Sequence, residues 1–73
     1  MKISYDQDVD AAYIQLGEGE ADGVVEISEG ISVDIDVEKK IIGIEILNAS
    51  KKISLENLFR FEIDESTVLR KSA

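Results

Sequence analysis

Paired carboxylates are the residues of this 73-residue chain whose type and spacing could do chemistry. Asp34 and Asp36 stand two apart in a segment that alternates apolar and polar residues, so on a strand they would share one face. Glu45, in the next apolar segment, could join them from a neighbouring strand. Carboxylates grouped in this way can transfer protons or hold Mg²⁺. The interpretation we favour is a solvated strand face, with Asp34, Asp36 and Glu45 as an interaction surface.

The residues that usually complete a catalytic or metal site are missing. The chain has no His and no Cys, which removes the commonest general base near neutral pH, the commonest transition-metal ligand and any thiolate site. Asp6, Asp8 and Asp10 resemble the start of an EF-hand loop, but Ala11 and Gly17 stand where that loop requires Gly and Glu. An Asp-rich turn is the better interpretation. We therefore predict no catalytic, cofactor-binding or metal-binding residues and no enzyme activity.

The charge of the chain favours one class of partner. Its 16 acidic and 8 basic residues give a net charge of −8, and the acids are spread along the sequence. An acidic field repels phosphate, so we predict no nucleic-acid binding. The same field attracts basic proteins and speeds their encounter. The alternative is that the charge only keeps a small protein soluble.

The first residues of the chain and its apolar runs indicate where in the cell the protein is expected. Residues 1–5 lead directly into strand-like sequence without the apolar stretch of a signal peptide. No apolar run approaches the roughly 18 residues that span a bilayer. We expect a cytoplasmic protein that does not associate with membranes.

Five segments have the pattern of β-strands. The clearest is residues 31–37, where apolar residues alternate with Ser and Asp in a period of two. The short turns leave no room for parallel crossovers, so we predict antiparallel strands paired in chain order, a meander. The predicted strands are residues 2–5, 11–16, 24–28, 31–37 and 41–47.

The C-terminal third of the chain changes character. Residues 48–52 are interpreted as a polar connector, and Ser54 as the N-cap of a short helix at residues 55–60. Residues 61–64 could return to a strand, and residues 65–73 could be helix or strand. The predicted fold class is thus α+β, mostly β: a four- to five-stranded antiparallel meander with a short C-terminal helix.

Size limits the stability of such a domain. The chain is a single small domain, residues 1–73, with sheet sequence at about 3–51 and a C-terminal helix and tail at 54–73. A chain of this length buries only a modest core. The predicted helix can cover one sheet face, whereas Val24, Ile41 and Leu47 would be left on the other. Homodimerisation is one way to cover them.

Four ordered blocks of residues between about positions 3 and 51 are similar to a known family. They comprise Tyr5, Asp6, Asp10, Ala11, Tyr13, Ile14, Leu16, Gly30, Ile31, Val33, Asp34, Asp36, Gly43, Glu45, Leu47, Ala49 and Ser50. In these blocks the chain resembles domain-of-unknown-function family 2283, small bacterial and archaeal proteins without an agreed activity. It departs from the family at the turn of residues 37–40. The resemblance implies a candidate antitoxin, since members are sometimes encoded beside small toxin-like proteins.

Three functions are compatible with these observations. The first is an acidic, non-enzymatic interaction protein, antitoxin-like, that binds a small basic protein. The second is a self-contained homodimer with a structural or regulatory role. The third is a carboxylate-based metal site or enzyme around Asp34, Asp36 and Glu45. We favour the first because of the charge, the missing catalytic residue types and the family resemblance.

Overall fold

The computed structural model describes residues 1–64 as one five-stranded antiparallel sheet with two short helices. The predicted fold class, α+β and mostly β, is confirmed. The strands are β1 (Lys2–Asp6), β2 (Ala11–Gln15), β3 (Gly23–Ser28), β4 (Ile31–Ile35) and β5 (Ile41–Leu47). The helices are α1 (Ala49–Lys52) and α2 (Leu55–Leu58). No helix among these 64 residues is long and apolar enough to cross a membrane.

The strand order differs from the predicted chain order at one place. The sheet runs β1-β2-β5-β4-β3, so β2 pairs with β5 and not with β3. The pairings β1–β2, β3–β4 and β4–β5 follow the chain order as predicted. β5 is rich in Ile and Leu, and the central position shields such a strand on both edges. The connection after β2 begins along β5, because the backbone N–H groups of Leu16 and Gly17 both donate to the carbonyl oxygen of Ile42.

The two helices cover one half of one sheet face. Ala12, Ala49 and Leu58 form the buried cluster between the sheet and the helices. Half-buried side chains from β1, β2, β5 and the helix region surround that cluster: Ile3, Tyr5, Ile14, Ile46, Ile53 and Leu55. β3 contributes no residue to it within residues 1–64. The packed layer therefore lies over the β1-β2-β5 side, and β3 is the edge that residues 1–64 leave uncovered.

Helix α1 lies where the sequence predicted only a polar connector. Asn48 precedes it in the left-handed region, at φ 54°, and its side chain makes no capping hydrogen bond. The capping acceptors come from Asp10 instead: its carbonyl oxygen accepts from the N–H of Ala49 and its carboxylate accepts from the N–H of Ser50. A cap supplied from 40 residues away gives no local sequence signal.

Helix α2 begins as predicted and ends earlier. The hydroxyl of Ser54 accepts a hydrogen bond from the N–H of Asn57, which confirms the predicted N-cap. The helix ends at Leu58, and the N–H of Arg60 then donates to the carbonyl of Asn57 in a tighter turn. Residues 61–64 are neither helix nor strand. The predicted tail at residues 65–73 lies outside the described residues.

Candidate functional site

The sheet face opposite the helices is organised around Tyr13 and Asp34. The Tyr13 hydroxyl donates to Asp34 Oδ2 at 2.9 Å, which links β2 to β4 across the central strand β5. The ring passes over Gly43, whose missing side chain leaves the space that the ring fills. Glu45 pairs with Tyr13 on one side and with Ser32 on the other. The structure therefore places Asp34 and Glu45 on one face, on either side of the Tyr13 ring.

The ionisation of Tyr13 reflects these neighbours. Partial burial raises the pKa of its phenol, and the hydrogen bond to Asp34 and the charges of Asp34 and Glu45 raise it further. The phenol consequently stays protonated at neutral pH and remains a hydrogen-bond donor. A general acid or base works best with a pKa near the operating pH, and this shift moves Tyr13 away from it.

Asp36 has a different position from the predicted one. β4 ends at Ile35, so Asp36 belongs to the β4–β5 turn and not to the strand face of Asp34. Its Oδ1 accepts hydrogen bonds from the N–H groups of Glu38 and Lys40, at 2.8 and 2.9 Å. These contacts are those of an Asp that closes a turn. The structure thus brings together two of the three carboxylates of the predicted interaction surface, and the role of all three stays a prediction.

Asp10 joins parts of the chain that the sequence did not connect. Its Oδ1 accepts from the Tyr5 hydroxyl at 2.7 Å and from the N–H of Ser50 at 3.0 Å, and its Oδ2 accepts from the Ser50 hydroxyl at 2.8 Å. The hydrogen bonds from Tyr5 and then Ser50 are the main reasons that the pKa of Asp10 is lowered. The Asp-rich turn was predicted, but its link to Ser50 was not. The one available signal was that Asp10 and Ser50 both lie in blocks that resemble the family, the first near the start and the second at the end.

Replacing Asp10 should change how stability depends on acid. A carboxyl whose pKa is lower in the folded than in the unfolded chain stabilises the fold above the unfolded pKa of about 3.9. That stabilisation disappears as the pH falls through the folded pKa. Asp10→Asn should therefore be less stable than the wild type at neutral pH, and the difference should shrink below about pH 4.

Urea unfolding of the two proteins at a series of pH values between neutral and acid measures this effect. Asp8→Asn is the matched control, because it removes the same charge from the same turn and the Asp8 side chain is exposed. If the difference in free energy of unfolding between the wild type and Asp10→Asn stays constant down to acid pH, the lowered pKa of Asp10 is contradicted.

The carboxylates are dispersed across the described part of the chain. Within residues 1–64, no three acids lie close enough together to hold a metal ion. No polar or charged side chain in that range is buried. The acids of the described residues are thus exposed or half-buried, and they can contribute a negative field to an approaching partner.

Exposed apolar side chains accompany the acids. Val24, Val25 and Ile27 of β3 are exposed. Val24, Ile41 and Leu47, which were predicted to be left uncovered, are also exposed, but their cross-strand partners are Asp34, Ile35 and Ala11 respectively. They therefore do not form one patch. A separate groove of about 390 Å³ at the helix side is lined by Met1, Ile3, Phe59 and Phe61.

Comparison with known proteins gives a family and no activity. A family model described as "Protein of unknown function (DUF2283)" matches residues 2–50, which contain the whole sheet. Searches of curated proteins and of solved structures found no match to the chain. The match therefore confirms the predicted family. The function has to be argued from the chemistry of the surface.

Proposed function

The chain belongs to the DUF2283 family of proteins of unknown function, and on that premise we propose that it is a non-enzymatic interaction protein. It binds a small basic protein, as an antitoxin binds its toxin. The acidic sheet surface attracts the partner, and exposed apolar side chains beside the acids hold the contact. We also propose a cytoplasmic location, for which the sequence is the only support.

One observation carries this proposal: the separation of charge along the chain. No Lys or Arg occurs between residues 3 and 38, a range that includes β2, β3, β4 and almost all of β1. Most of the 16 acids lie in that same range. The part of the surface built from it is predominantly negative, and the cations near it come from outside the range: Lys40 pairs with the exposed Glu38 at 3.6 Å, and Lys51 acts on Asp10. Such a surface raises the encounter rate with a positively charged protein and disfavours acidic ones.

The directions of the pKa shifts support a binding role over a catalytic one. The pKa of Tyr13 and that of Tyr5 are raised, and that of Asp10 is lowered, so all three groups move away from neutrality. Active sites usually perturb ionisable groups toward the pH at which they work. The principal contacts of Asp10 and Asp36 are also internal hydrogen bonds that close turns and cap a helix.

The test is capture of the partner by the tagged full-length chain from an extract of its native host. We expect a small protein of net positive charge, held in a fixed ratio to the chain at low salt. High salt should weaken the contact, because screening shortens the range of charge attraction to about 3 Å at 1 M. Reconstitution from the two purified proteins should then reproduce the complex.

A charge-matched pair of variants tests the site. Asp34→Asn with Glu45→Gln should slow association with the captured protein, and the Asn oxygen can still accept from the Tyr13 hydroxyl. Glu18→Gln with Glu20→Gln removes the same charge from the exposed loop and should slow it less. Absence of any basic protein in a fixed ratio at low salt would contradict the proposal.

A self-contained homodimer is the second candidate, and the thin core favours it. Only Ala12, Ile42, Ala49 and Leu58 are buried apolar residues in the described range, and none of the large side chains there is completely buried. Small domains often need oligomerisation to supplement such a core. Light scattering of the purified protein distinguishes the two: a tight dimer that captures no basic protein would favour this candidate.

A further inference from the structure

We propose that β3 is an acceptor edge, to which the basic partner adds an extended segment as a sixth strand. This inference rests on the proposed function and specifies its contact. Strand addition to an open sheet edge gives affinity through backbone hydrogen bonds and specificity through alternate side chains. Three properties of β3 lead to it: its position, its lack of protection and the charge around it.

Among the described residues, the position of β3 leaves one row of its backbone groups without a neighbouring strand. It is the outermost strand of the sheet, next to β4, and its other side has no strand in the part of the chain that the structure describes. Val24, Val25 and Ile27 are 64%, 46% and 62% exposed, so side chains on both faces are open. A register shift between Glu26 and Ser28 bends the far end, so residues 23–26 are the regular part of the edge.

β3 lacks two common devices that protect a natural edge strand, Lys and Pro, and its register shift affects only its far end. Edge strands are commonly guarded by Lys or Pro, which discourage pairing with another chain. β3 has the sequence GVVEIS and contains neither. The opposite edge, β1, begins with Lys2 and ends with Asp6, and its alternate side chains are packed under the helix layer. An exposed apolar edge in a natural protein is expected where a partner pairs with it.

The charge around β3 identifies the occupant as basic. Glu26 lies within the strand, Asp22 immediately precedes it and Glu29 follows it. A second copy of the chain would bring the same acids to the same edge, where like charges repel. A basic segment would instead be attracted by them.

The register of β3 also predicts the pattern of the added segment. Val25 pairs with Val33 on one face, whereas Val24 and Glu26 pair with Asp34 and Ser32 on the other. A strand added beside β3 continues both faces, because side chains alternate with a period of two. Its side chains should therefore be apolar on the Val25 face and basic on the Glu26 face.

A synthetic peptide of alternating Val and Lys, eight residues long with blocked ends, is the probe for this edge. Binding to the full-length protein is followed by amide hydrogen exchange resolved by NMR. Outward amides in residues 23–28 should exchange about tenfold more slowly when the peptide is present at about ten times its Kd. The amides of β1 should be unaffected.

Two control peptides separate strand pairing from charge attraction. The same peptide methylated on every backbone nitrogen keeps its side chains and its charge but cannot donate backbone hydrogen bonds, so it should bind at least about tenfold more weakly. A peptide of alternating Val and Glu should not bind. In the protein, Glu26→Lys should weaken binding of the Val–Lys peptide more than Glu18→Lys does. Glu18→Lys makes the same charge change in the exposed loop.

The remaining outcomes overturn the inference. Equal binding of the methylated peptide, or protection outside residues 23–28, would mean that charge alone attracts the probe. Protection of residues 23–28 in the free protein that is lost on dilution would mean that a second copy occupies the edge. Neither result decides the proposed function, because that is tested separately by capture of a basic protein by the whole chain.

Discussion

Leu58→Ala is expected to lower the free energy of unfolding by about 2–3 kcal/mol, the lower part of the range for a buried Leu. Leu58 is only 7% exposed and packs with Ala12 and Ala49 at the junction of α2, α1 and the sheet. Because those neighbours are small, they cannot close the cavity. A single core of this size supplies only about 3–5 kcal/mol, so a large part of the stability would be lost.

Urea unfolding followed by circular dichroism measures this loss. With a slope of about 1 kcal/mol per molar urea, the midpoint should fall by about 2–3 M. Leu16→Ala is the matched control, since it removes the same atoms from a side chain that is 46% exposed, and it should shift the midpoint much less. Equal shifts for the two variants would show that the helix layer contributes little to stability.

Gly43→Ala is expected to destabilise the sheet by about 1–3 kcal/mol, the usual cost of overpacking. A Cβ at residue 43 would lie 2.8 Å from Cε2 of Tyr13 and closer still to its Cζ and hydroxyl oxygen. The ring would have to move off the strand and give up its hydrogen bond to Asp34. The pKa of Tyr13 should then fall toward its ordinary value, because burial and that hydrogen bond raise it.

Two comparisons isolate the contact between Tyr13 and Gly43. Gly23→Ala makes the same change in β3, where the new Cβ would meet Ile35 at an ordinary 3.7 Å, so it should be neutral or stabilise by about 0.4–1 kcal/mol. In a Tyr13→Ala background, Gly43→Ala should lower the free energy of unfolding much less. The double-mutant cycle then gives the coupling energy between residues 13 and 43. If Gly43→Ala costs the same in both backgrounds, the ring is not the cause.

The strands of this fold were predictable because their signal is local. Alternation over residues 31–37 and the Ile-rich run at 41–47 predicted β4 and β5 closely, and Ser54 predicted the start of α2. The pairing of β2 with β5 was not predictable in the same way. Turn length favours neighbours in sequence, and the preference for placing the most apolar strand in the centre competes with it.

The candidate site shows the same division. Asp34 and Glu45 were predicted to share a surface from their strand positions alone, and the structure places them on one face. The ring of Tyr13 between them was missed, because it depends on the gap above Gly43 and on the unexpected neighbour strand. Asp36 was misplaced because the predicted strand ran two residues too far: β4 ends at Ile35 and not at Val37, so Asp36 lies in the turn.

The central position of β5 has a consequence for the order of events during synthesis. β5 joins the β1–β2 hairpin to the β3–β4 hairpin, yet among the five strands of residues 1–64 it is the last to leave the ribosome. Until residue 47 has emerged, each hairpin is an isolated two-stranded unit, which is marginal in water. Closing the sheet then requires contacts between residues 11–15 and 43–47, which are distant in the chain, so assembly is slower than for a meander. The nascent protein therefore passes through an interval in which both hairpins are exposed to proteases and chaperones.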